Sequence, residues 1–266
     1  MPELPEVESF RKYFEATSLH DPIVEIEVKS TSILGNITQE DLSGRLVGRE
    51  FAAVSRMGKY LYASLEEGRS ALVLHFGMTG FLAYFRDMDK EPGHDRFLVT
   101  FRSGFHLAFD DQRKFGEVSF AEDVRDFFRA KHLGPDALEL SLEEFLKLLK
   151  GRRRQIKPLL MDQSFVSGIG NIYSDEILYQ AGIHPLTTSD TLDTGRKKAL
   201  YHAMHHVLNT AVQRNAEFSR YPGNWLMNHR SRGEKCPRGD CRVEKIIISG
   251  RSSYFCPCHQ EPGDTS

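Results

Sequence analysis

The chain has 266 residues, of which 40% are hydrophobic and 27% are charged, the composition of an ordinary globular protein. This length accommodates two domains. The sequence contains no run of 18 apolar residues, which excludes a membrane-spanning helix. Its N-terminus lacks the basic stretch and apolar core of a secretory signal. We therefore expect a cytoplasmic protein without a membrane partner.

The near-neutral net charge of −2 conceals an asymmetry between the two halves of the chain. Residues 1–150 contain 19 basic and 26 acidic residues, a net charge of −7. Residues 151–259 contain 16 basic and 9 acidic residues, a net charge of +7. A basic half on a nearly neutral chain indicates an anionic partner for that half, although a solvated charged surface has the same composition.

The chain opens with "MPELPEVES", which places two prolines and three glutamates in its first eight residues. Proline and glutamate both suit the first turn of a helix. Leu4, Val7, Phe10 and Phe14 follow at helical spacing, so the pattern predicts a helix that begins near Pro5.

Residues 23–120 consist mostly of short apolar or alternating runs, typical of β-strands. The runs are "IVEIEV", "LVGREFAAVSR", "YLYASL", "ALVLHF", "FLAYF", "RFLVTF", "FHLAF" and "EVSF". They are too close in sequence for helical crossovers, so we expect an antiparallel sandwich or barrel.

The pattern changes from strands to helices after "HLGPDAL" at 132–138. Ser141 and Glu144 form a capping box before "FLKLLK", and helical runs follow at about 155–162, 171–181 and 194–213. We expect Gly182 to end the second of these runs. We therefore divide the chain into a sandwich domain, a hinge, a helical domain, a Cys-rich hairpin and a tail. Their bounds are 1–131, 132–140, 141–230, 231–260 and 261–266.

All four cysteines fall within 23 residues, as "CPRGDC" and "CPC" followed by a histidine. Two such knuckles joined by a β-hairpin are typical of a structural zinc site. The simplest ligand set is Cys236, Cys241, Cys256 and Cys258, with one Zn²⁺. His259 in place of Cys258 is a second possible set, and reduced thiols without metal are a third interpretation.

Two further segments carry features of anion or nucleic-acid binding. "GIGN" at 168–171 leads directly into a helix, and backbone N–H groups at a helix start after small glycines bind phosphate. "RRRQIK" lies just upstream. In "DDQRKFG" at 110–116, Arg113 and Phe115 point the same way if the segment is extended, and such a pair can enter a base stack.

A series of short motifs runs along nearly the whole chain. In order, they are "MPELPEVE", "GKYL", "HFGMTG", "DQRKFG", "HLGPD", "IKPLLMDQ", "GIGNIYSDE", "AGIHP" and "GRSSYFC". In this order they resemble the motifs of formamidopyrimidine-DNA glycosylase, whose family includes endonuclease VIII, and Leu4 in "PELPE" is typical of the formamidopyrimidine branch. The resemblance implies an α+β fold: an N-terminal antiparallel β-sandwich with an opening helix, a helix–two-turn–helix domain and a terminal zinc-finger β-hairpin.

The resemblance also implies the catalytic residues. Loss of Met1 leaves Pro2 with a terminal amine, whose class has a pKa of about 8. In the family this amine attacks C1′ of a damaged nucleotide, expels the base and forms a Schiff base. Glu3 acts as general acid/base and Glu6 organises the site, since helix capping accounts for only one of these acidic residues. Lys59 transfers protons and contacts phosphate, and Arg251 grips phosphates and assists the second elimination.

By the same resemblance the partner is double-stranded DNA that contains oxidised bases or abasic sites. Such enzymes flip the damaged nucleotide out of the duplex, and Met78, Arg113 and Phe115 match the residues that fill the gap. Lys114 stands where the family commonly has Arg, and Gln112 where it commonly has Pro. The matching DNA contacts are His94, Arg113, Arg152, Lys157 and Asn171, the pair Lys157 and Asn171 being the phosphate-binding pair.

The segment before the finger, "FSRYPGNWLMNHRSRGEKC", does not match the lesion-capping loop of relatives that excise 8-oxoguanine. Trp225 either stacks on a base or anchors the finger to the helices. The lesion therefore stays open between 8-oxoguanine, formamidopyrimidines, hydantoins and oxidised pyrimidines.

The sequence predicts a monomeric bacterial enzyme of base excision repair, cytoplasmic and associated with the nucleoid. It excises an oxidised base and cleaves the strand by β,δ-elimination. An AP lyase with little base excision and a zinc-finger damaged-DNA binder that has lost catalysis are the alternatives.

Overall fold

The computed structural model describes residues 1–65 and 69–260. The chain divides between His132 and Leu133 into two compact units. Among the helices of the described residues, none has the length and apolarity that crossing a membrane requires. The predicted tail, 261–266, lies outside the described residues.

The described residues form seven α-helices and ten β-strands. The helices are α1 (Leu4–Thr17), α2 (Gln39–Leu46), α3 (Val124–Ala130), α4 (Leu142–Leu149), α5 (Ile156–Met161), α6 (Asn171–Ala181) and α7 (Thr194–Gln213). The strands are β1 (Ile23–Val28), β2 (Phe51–Met57), β3 (Tyr60–Leu65), β4 (Ala71–His75), β5 (Phe81–Phe85), β6 (Asp95–Phe101), β7 (His106–Asp110), β8 (Glu117–Ala121), β9 (Glu244–Ile248) and β10 (Arg251–Phe255).

The first unit is an antiparallel β-sandwich with an opening helix, as predicted. One sheet has the strand order β1-β6-β7-β5 and the other β2-β3-β4-β8, and every named pair is antiparallel. A single apolar cluster joins the inner faces of both sheets with α1, α2 and the chain between them. Its members include Phe14, Phe51, Phe76, Phe97, Phe101 and Phe109.

Two helices of this unit, α2 and α3, fall in segments that the sequence pattern did not assign to helices. Each has a side-chain N-cap: Thr38 accepts a bond from the Asp41 amide, and Asp123 accepts from Arg125 and Asp126. With eight and seven residues, each spans about two turns, too few for a helical period to stand out in the sequence.

The second unit is helical and ends in a two-stranded hairpin. The predicted capping box is confirmed at the start of α4, where the side chains of Ser141 and Glu144 each accept a hydrogen bond from the backbone amide of the other residue. Helix α6 ends as predicted at Gly182, which has a left-handed φ of 65°. Strands β9 and β10 form the hairpin.

Candidate active site and nucleic-acid interface

The N-terminal helix begins at a reciprocal capping box built from two glutamates. Glu3 is the N-cap, and its side chain accepts from the Glu6 amide, while Glu6 Oε2 accepts from the Glu3 amide at 2.9 Å. Glu3 is 2% exposed. Capping thus accounts for both carboxylates, whereas the sequence interpretation assigned it only one. The cap also fixes the direction of the chain at Pro2, which directly precedes it.

Lys59 lies in a two-residue turn between β2 and β3, where Met57 pairs with Tyr60. The preceding Gly58 has φ of 57°, which suits a tight hairpin. Arg56 ties this turn to the opening helix, because its Nε donates to Glu8 Oε2 at 3.1 Å and its Nη1 donates to the Gly58 carbonyl at 3.0 Å. The lysine turn and α1 are therefore held by one guanidinium.

Strand register brings three loops to the same end of one sheet. Tyr60 pairs with His75, and His75 pairs with Glu117. The turn that carries Lys59 precedes Tyr60, the "GMTG" loop follows shortly after His75, and the "DQRKFG" loop ends at Glu117. Segments that lie far apart in sequence are therefore neighbours at this edge.

Asp111 joins two of these loops through its buried carboxylate. Oδ1 accepts from Thr79 Oγ1 at 2.5 Å and from the Arg113 amide at 3.2 Å, and Oδ2 accepts from the Gly116 amide at 2.7 Å. At Gly77, φ is +56° and an added Cβ would lie 2.3 Å from the Phe115 carbonyl carbon. The two loops therefore pack backbone to backbone.

The three residues predicted to fill a gap in DNA project from these joined loops. Met78 is 39% exposed and Phe115 is 58% exposed. The Arg113 guanidinium lies 4.8 Å from the centroid of the Phe115 ring. His94, also exposed, is held nearby, because its carbonyl accepts from the Asp111 amide at 3.0 Å.

His75 and Asp111 belong to this edge, although the sequence interpretation did not single them out. Burial lowers the pKa of His75, the carboxylate of Glu117 raises it, and the charges of Lys59 and Lys131 lower it. His75 thus favours the neutral form beside the lysine turn. In the sequence, both residues could have been found from their positions inside the motifs "HFGMTG" and "DDQRKFG". Their contacts could not, because their partners lie on other strands and loops.

In the helical unit, the turn between α5 and α6 is held by the side chain of Gln163. Its Nε2 donates to the carbonyls of Met161 and Ile169, and its Oε1 accepts from the Gly168 amide. Asn171 begins α6, and its Oδ1 is buried with no hydrogen-bond partner among the described residues. Rotation of the amide would present N–H donors there instead, the group that a phosphate oxygen needs.

The two basic residues predicted to accompany Asn171 differ in exposure. Arg152 is exposed and lies over the Phe165 ring at 5.2 Å. Lys157 is fully buried, and its Nζ donates to Asp175 Oδ1 at 2.6 Å and to the Ser252 carbonyl at 3.2 Å. The structure therefore places Lys157 in the interior beside Asp175, and its predicted phosphate contact stays a prediction.

Arg251 follows the hairpin turn at Ser249 and Gly250, both of which have positive φ. Its side chain is exposed, and its Nη1 lies 3.8 Å from the sulfur of Met161 on α5. The turn thus presents Arg251 at the tip of the hairpin.

The four cysteines converge on one side of the hairpin. Cys236, Cys241 and Cys256 belong to one cluster with Tyr179, Cys236 Sγ lies 3.2 Å from Tyr179 Oη, and Cys241 is disulfide-bonded to Cys258. Within residues 1–65 and 69–260, no group of three or more His, Cys, Asp or Glu side chains is arranged as a metal site. Four thiolates on two knuckles are nevertheless a donor set that suits zinc.

The Nε2 atom of His259, the alternative ligand, has two polar partners other than the cysteines. It lies 2.7 Å from the Tyr179 carbonyl and 3.0 Å from Arg238 Nη1. This placement favours Cys258 over His259 as the fourth ligand.

The segment before the hairpin is packed against the helices. Trp225 is 2% exposed and Tyr221 is 5% exposed, their rings are 5.1 Å apart, and Tyr221 Oη lies 2.7 Å from Tyr173 Oη. Of the two alternatives for Trp225, the structure favours the anchoring role, because the buried ring is not available to stack on a base.

Glu176 makes the stability of this unit dependent on pH. Burial raises its pKa from 4.5 to about 7, while bonds from Gln180 and the Met227 amide act in the opposite direction. Because the folded state holds the proton on Glu176 more tightly than the unfolded state does, protonation of Glu176 stabilises the fold. This contribution to the free energy of unfolding is complete below pH 4.5 and is lost as pH rises through about 7. We expect Glu176→Gln to remove that loss, roughly 3 kcal/mol. Thermal unfolding of the wild type and Glu176→Gln from pH 4 to 8 measures this difference. The same pH dependence of stability in both proteins would contradict the prediction.

Comparisons with known proteins agree with this architecture. Residues 1–118 match the formamidopyrimidine-DNA glycosylase N-terminal domain and residues 133–222 the H2TH domain of the same enzymes. A formamidopyrimidine-DNA glycosylase of Solibacter usitatus is 36% identical, with 97% of this chain and 98% of the relative covered. That of Arabidopsis thaliana is 30% identical, with 97% and 70% covered.

Solved structures are similar over the same length. The wild-type Lactococcus lactis Fpg (MutM) in complex with N7-benzyl-Fapy-dG DNA has a TM-score of 0.89 at 29% identity, with 98% of this chain and 100% of that chain covered. MutM in complex with DNA containing carbocyclic 8-oxo-G has a TM-score of 0.87, also at 29% identity, with 98% and 100% covered.

The sandwich with its N-terminal helix, followed by the H2TH unit, defines a DNA glycosylase architecture. Two domain matches and relatives above 30% identity over nearly the full length identify the family. The chain belongs to the formamidopyrimidine-DNA glycosylase family.

Proposed function

We propose that this protein is a bifunctional DNA glycosylase and AP lyase of bacterial base excision repair, monomeric and cytoplasmic at the nucleoid. The observation that carries the proposal is the edge of the sandwich where register joins the Lys59 turn, the Met78 loop and the Arg113–Phe115 loop. The capped helix start, where Pro2 directly precedes the buried N-cap Glu3, belongs to the same unit. A structural role alone leaves the exposure of Met78, Arg113 and Phe115 unexplained.

In the proposed reaction, the amine of Pro2 attacks C1′ of the damaged nucleotide, and the bond from C1′ to the base breaks. Glu3 transfers the proton at the sugar as the ring opens to the iminium. Loss of the C2′ proton then breaks the C3′–O bond, and a second elimination breaks the C5′–O bond. The two eliminations leave a one-nucleotide gap, and addition of water to the iminium carbon C1′ then frees Pro2 and releases the sugar fragment as an aldehyde.

The other residues serve these steps from their places in the two units. Lys59 transfers protons and contacts phosphate, and Arg251 holds phosphates and assists the second elimination. Met78, Arg113 and Phe115 fill the space of the flipped nucleotide, which offsets the unstacking cost of a few kcal/mol per step. Asn171 and Arg152 bind phosphate, so we expect affinity to fall steeply with salt.

One Zn²⁺ held by Cys236, Cys241, Cys256 and Cys258 is part of the proposal. These sulfurs converge at the base of β9 and β10, and reduction of the Cys241–Cys258 bond makes all four available. The ion supplies a structural cross-link. The apolar cluster of the hairpin is small and shared with Tyr179 of α6, so such a cross-link helps to hold Arg251 at the tip.

A panel of duplexes tests the function and its lesion. It holds an abasic site, 8-oxoguanine, a formamidopyrimidine, a hydantoin and an oxidised pyrimidine, and gel analysis reports the cleaved ends. We expect a one-nucleotide gap with phosphate at both ends, and the fastest lesion names the substrate. Binding without any cleavage would contradict the proposal and leave a damaged-DNA binder.

An AP lyase with little base excision is a second candidate, favoured by one observation. Tyr221 and Trp225, in the segment before the hairpin, are buried against the helices, 5% and 2% exposed, so neither ring is free to cap a flipped base. Cleavage of the abasic duplex with every lesion intact would identify this activity.

The contact between the two loops gives a further prediction. Gly77→Ala places a methyl group 2.3 Å from the Phe115 backbone, which rotamer changes do not relieve, so the Met78 and Phe115 loops must separate. We expect the affinity for an abasic duplex, measured by fluorescence anisotropy, to fall at least about tenfold.

Gly104→Ala is the matched control. Gly104 also has positive φ, +82°, but open space where a Cβ would go, so it carries the backbone strain of about 1 kcal/mol without the collision. Equal affinities for Gly77→Ala and Gly104→Ala would contradict the role of the joined loops.

A further inference from the structure

A buried carboxylate in the helical unit collects donors from three other segments. Asp175 lies on α6, one turn after Asn171, and is 1% exposed. Oδ1 accepts from Lys157 Nζ at 2.6 Å and Ser253 Oγ at 2.9 Å. Oδ2 accepts from Arg230 Nη2 at 2.8 Å, from Arg230 Nε at 3.2 Å and from the Tyr254 amide at 3.2 Å. We call these five residues the Asp175 cluster.

The cluster fixes strand β10 at three consecutive residues. Ser253 and Tyr254 donate to Asp175, and the Ser252 carbonyl accepts from Lys157 Nζ at 3.2 Å. The Arg230 guanidinium also lies 4.8 Å from the centroid of the Tyr254 ring. These bonds begin at the residue that follows Arg251, so they set where the start of β10 lies on α5 and α6.

Stability is a weak explanation for such a cluster. Buried ion pairs are expensive to desolvate, and apolar residues of similar volume often stabilise a protein as well. What an ion pair with directed bonds adds is geometric specificity. Here the geometry concerns two proposed phosphate contacts, Arg251 on β10 and Asn171 on α6, which share Asp175 as their common attachment.

We infer that Asp175 is a positioning residue, which sets the separation between Arg251 and Asn171 by holding the hairpin on α6. Lys157 acts through it, by neutralising the carboxylate and holding the Ser252 carbonyl. The inference rests on the proposed function, in which these two residues grip the DNA backbone.

The test compares Asp175→Asn, Arg251→Gln and the double variant on an abasic duplex. Asn keeps the shape but loses the charge and one acceptor. If Asp175 acts through Arg251, Asp175→Asn lowers the second elimination by about tenfold to 10²-fold, and the double variant is no slower than Arg251→Gln alone. The slope of log affinity against log salt falls by about one unit in each. Multiplicative effects in the double variant would overturn the inference.

Hydrogen exchange provides a readout that does not depend on catalysis. In Asp175→Asn we expect faster exchange of the β9 and β10 amides and unchanged exchange in the β-sandwich. Unchanged exchange in the hairpin would overturn the inference even if activity falls. A wild-type protein that cleaves no DNA would instead contradict the proposed function, and the exchange result would still decide the attachment of the hairpin.

A milder pair of variants guards against misfolding of Asp175→Asn. Ser253→Ala removes one bond to Asp175, whereas Ser167→Ala removes an equally buried hydroxyl that bonds to the Pro135 carbonyl. We expect Ser253→Ala to speed exchange in β10 and to raise the fraction of product that stops after the first elimination. The same effect from Ser167→Ala would overturn the inference.

Discussion

Glu3→Gln is expected to slow base excision by about 10² to 10⁴-fold, the range of general acid–base catalysis. The Glu3 side chain accepts from the Glu6 amide, and a Gln oxygen accepts the same bond, so the cap persists while the ionisable group is lost. Single-turnover excision from the preferred lesion measures the effect. Adduct formation at a preformed abasic site should persist, because no base has to leave.

The control is a second glutamate in a capping box. Glu144 caps α4 together with Ser141, in a place that serves only the helix, so Glu144→Gln should change excision less than twofold. Thermal unfolding should report the same small change for both variants, since a cap contributes about 1 kcal/mol. Equal excision by wild type and Glu3→Gln would reduce Glu3 to a cap residue.

Cys256→Ser is expected to abolish zinc binding and to weaken DNA binding by at least about tenfold. Structural zinc contributes on the order of 10 kcal/mol in small finger peptides, and the hairpin that presents Arg251 packs in only a small apolar cluster. Metal analysis of protein prepared under reduction should give one zinc for wild type and none for the variant. Anisotropy with an abasic duplex gives the affinity.

His259→Ala separates the two ligand sets. Because His259 Nε2 faces the Tyr179 carbonyl, this variant should keep its zinc, and loss of the metal would assign His259 as a ligand. Reduced wild-type protein that contains no zinc, and binds DNA equally well with and without a chelator, would contradict the zinc proposal altogether.

Local patterns in the sequence predicted the elements whose signals lie within a few residues. The Ser141–Glu144 box and the Gly182 stop of α6 are of this kind, because a cap bonds to its own first or last turn. The two short helices α2 and α3 were missed since their signal covers only two turns.

Long-range contacts account for what the sequence did not predict in the site. The role of Asp111 depends on Thr79, 32 positions earlier, and that of Asp175 on Ser253, 78 positions later. No local pattern contains such pairs. The burial of Lys157 could not be predicted for the same reason, since its partner Asp175 lies on the next helix. The order of the motifs predicted the candidate site residues, whereas the register of the paired β-strands determines which of them lie together.

The central claim is that the terminal amine of Pro2 is the nucleophile. Borohydride trapping on an abasic duplex, followed by digestion and mass spectrometry of the cross-linked peptide, tests it most directly. The account predicts a covalent adduct whose mass maps to the N-terminal peptide beginning at Pro2, after loss of Met1. An adduct on Lys59, or intact DNA binding without any adduct, would contradict it.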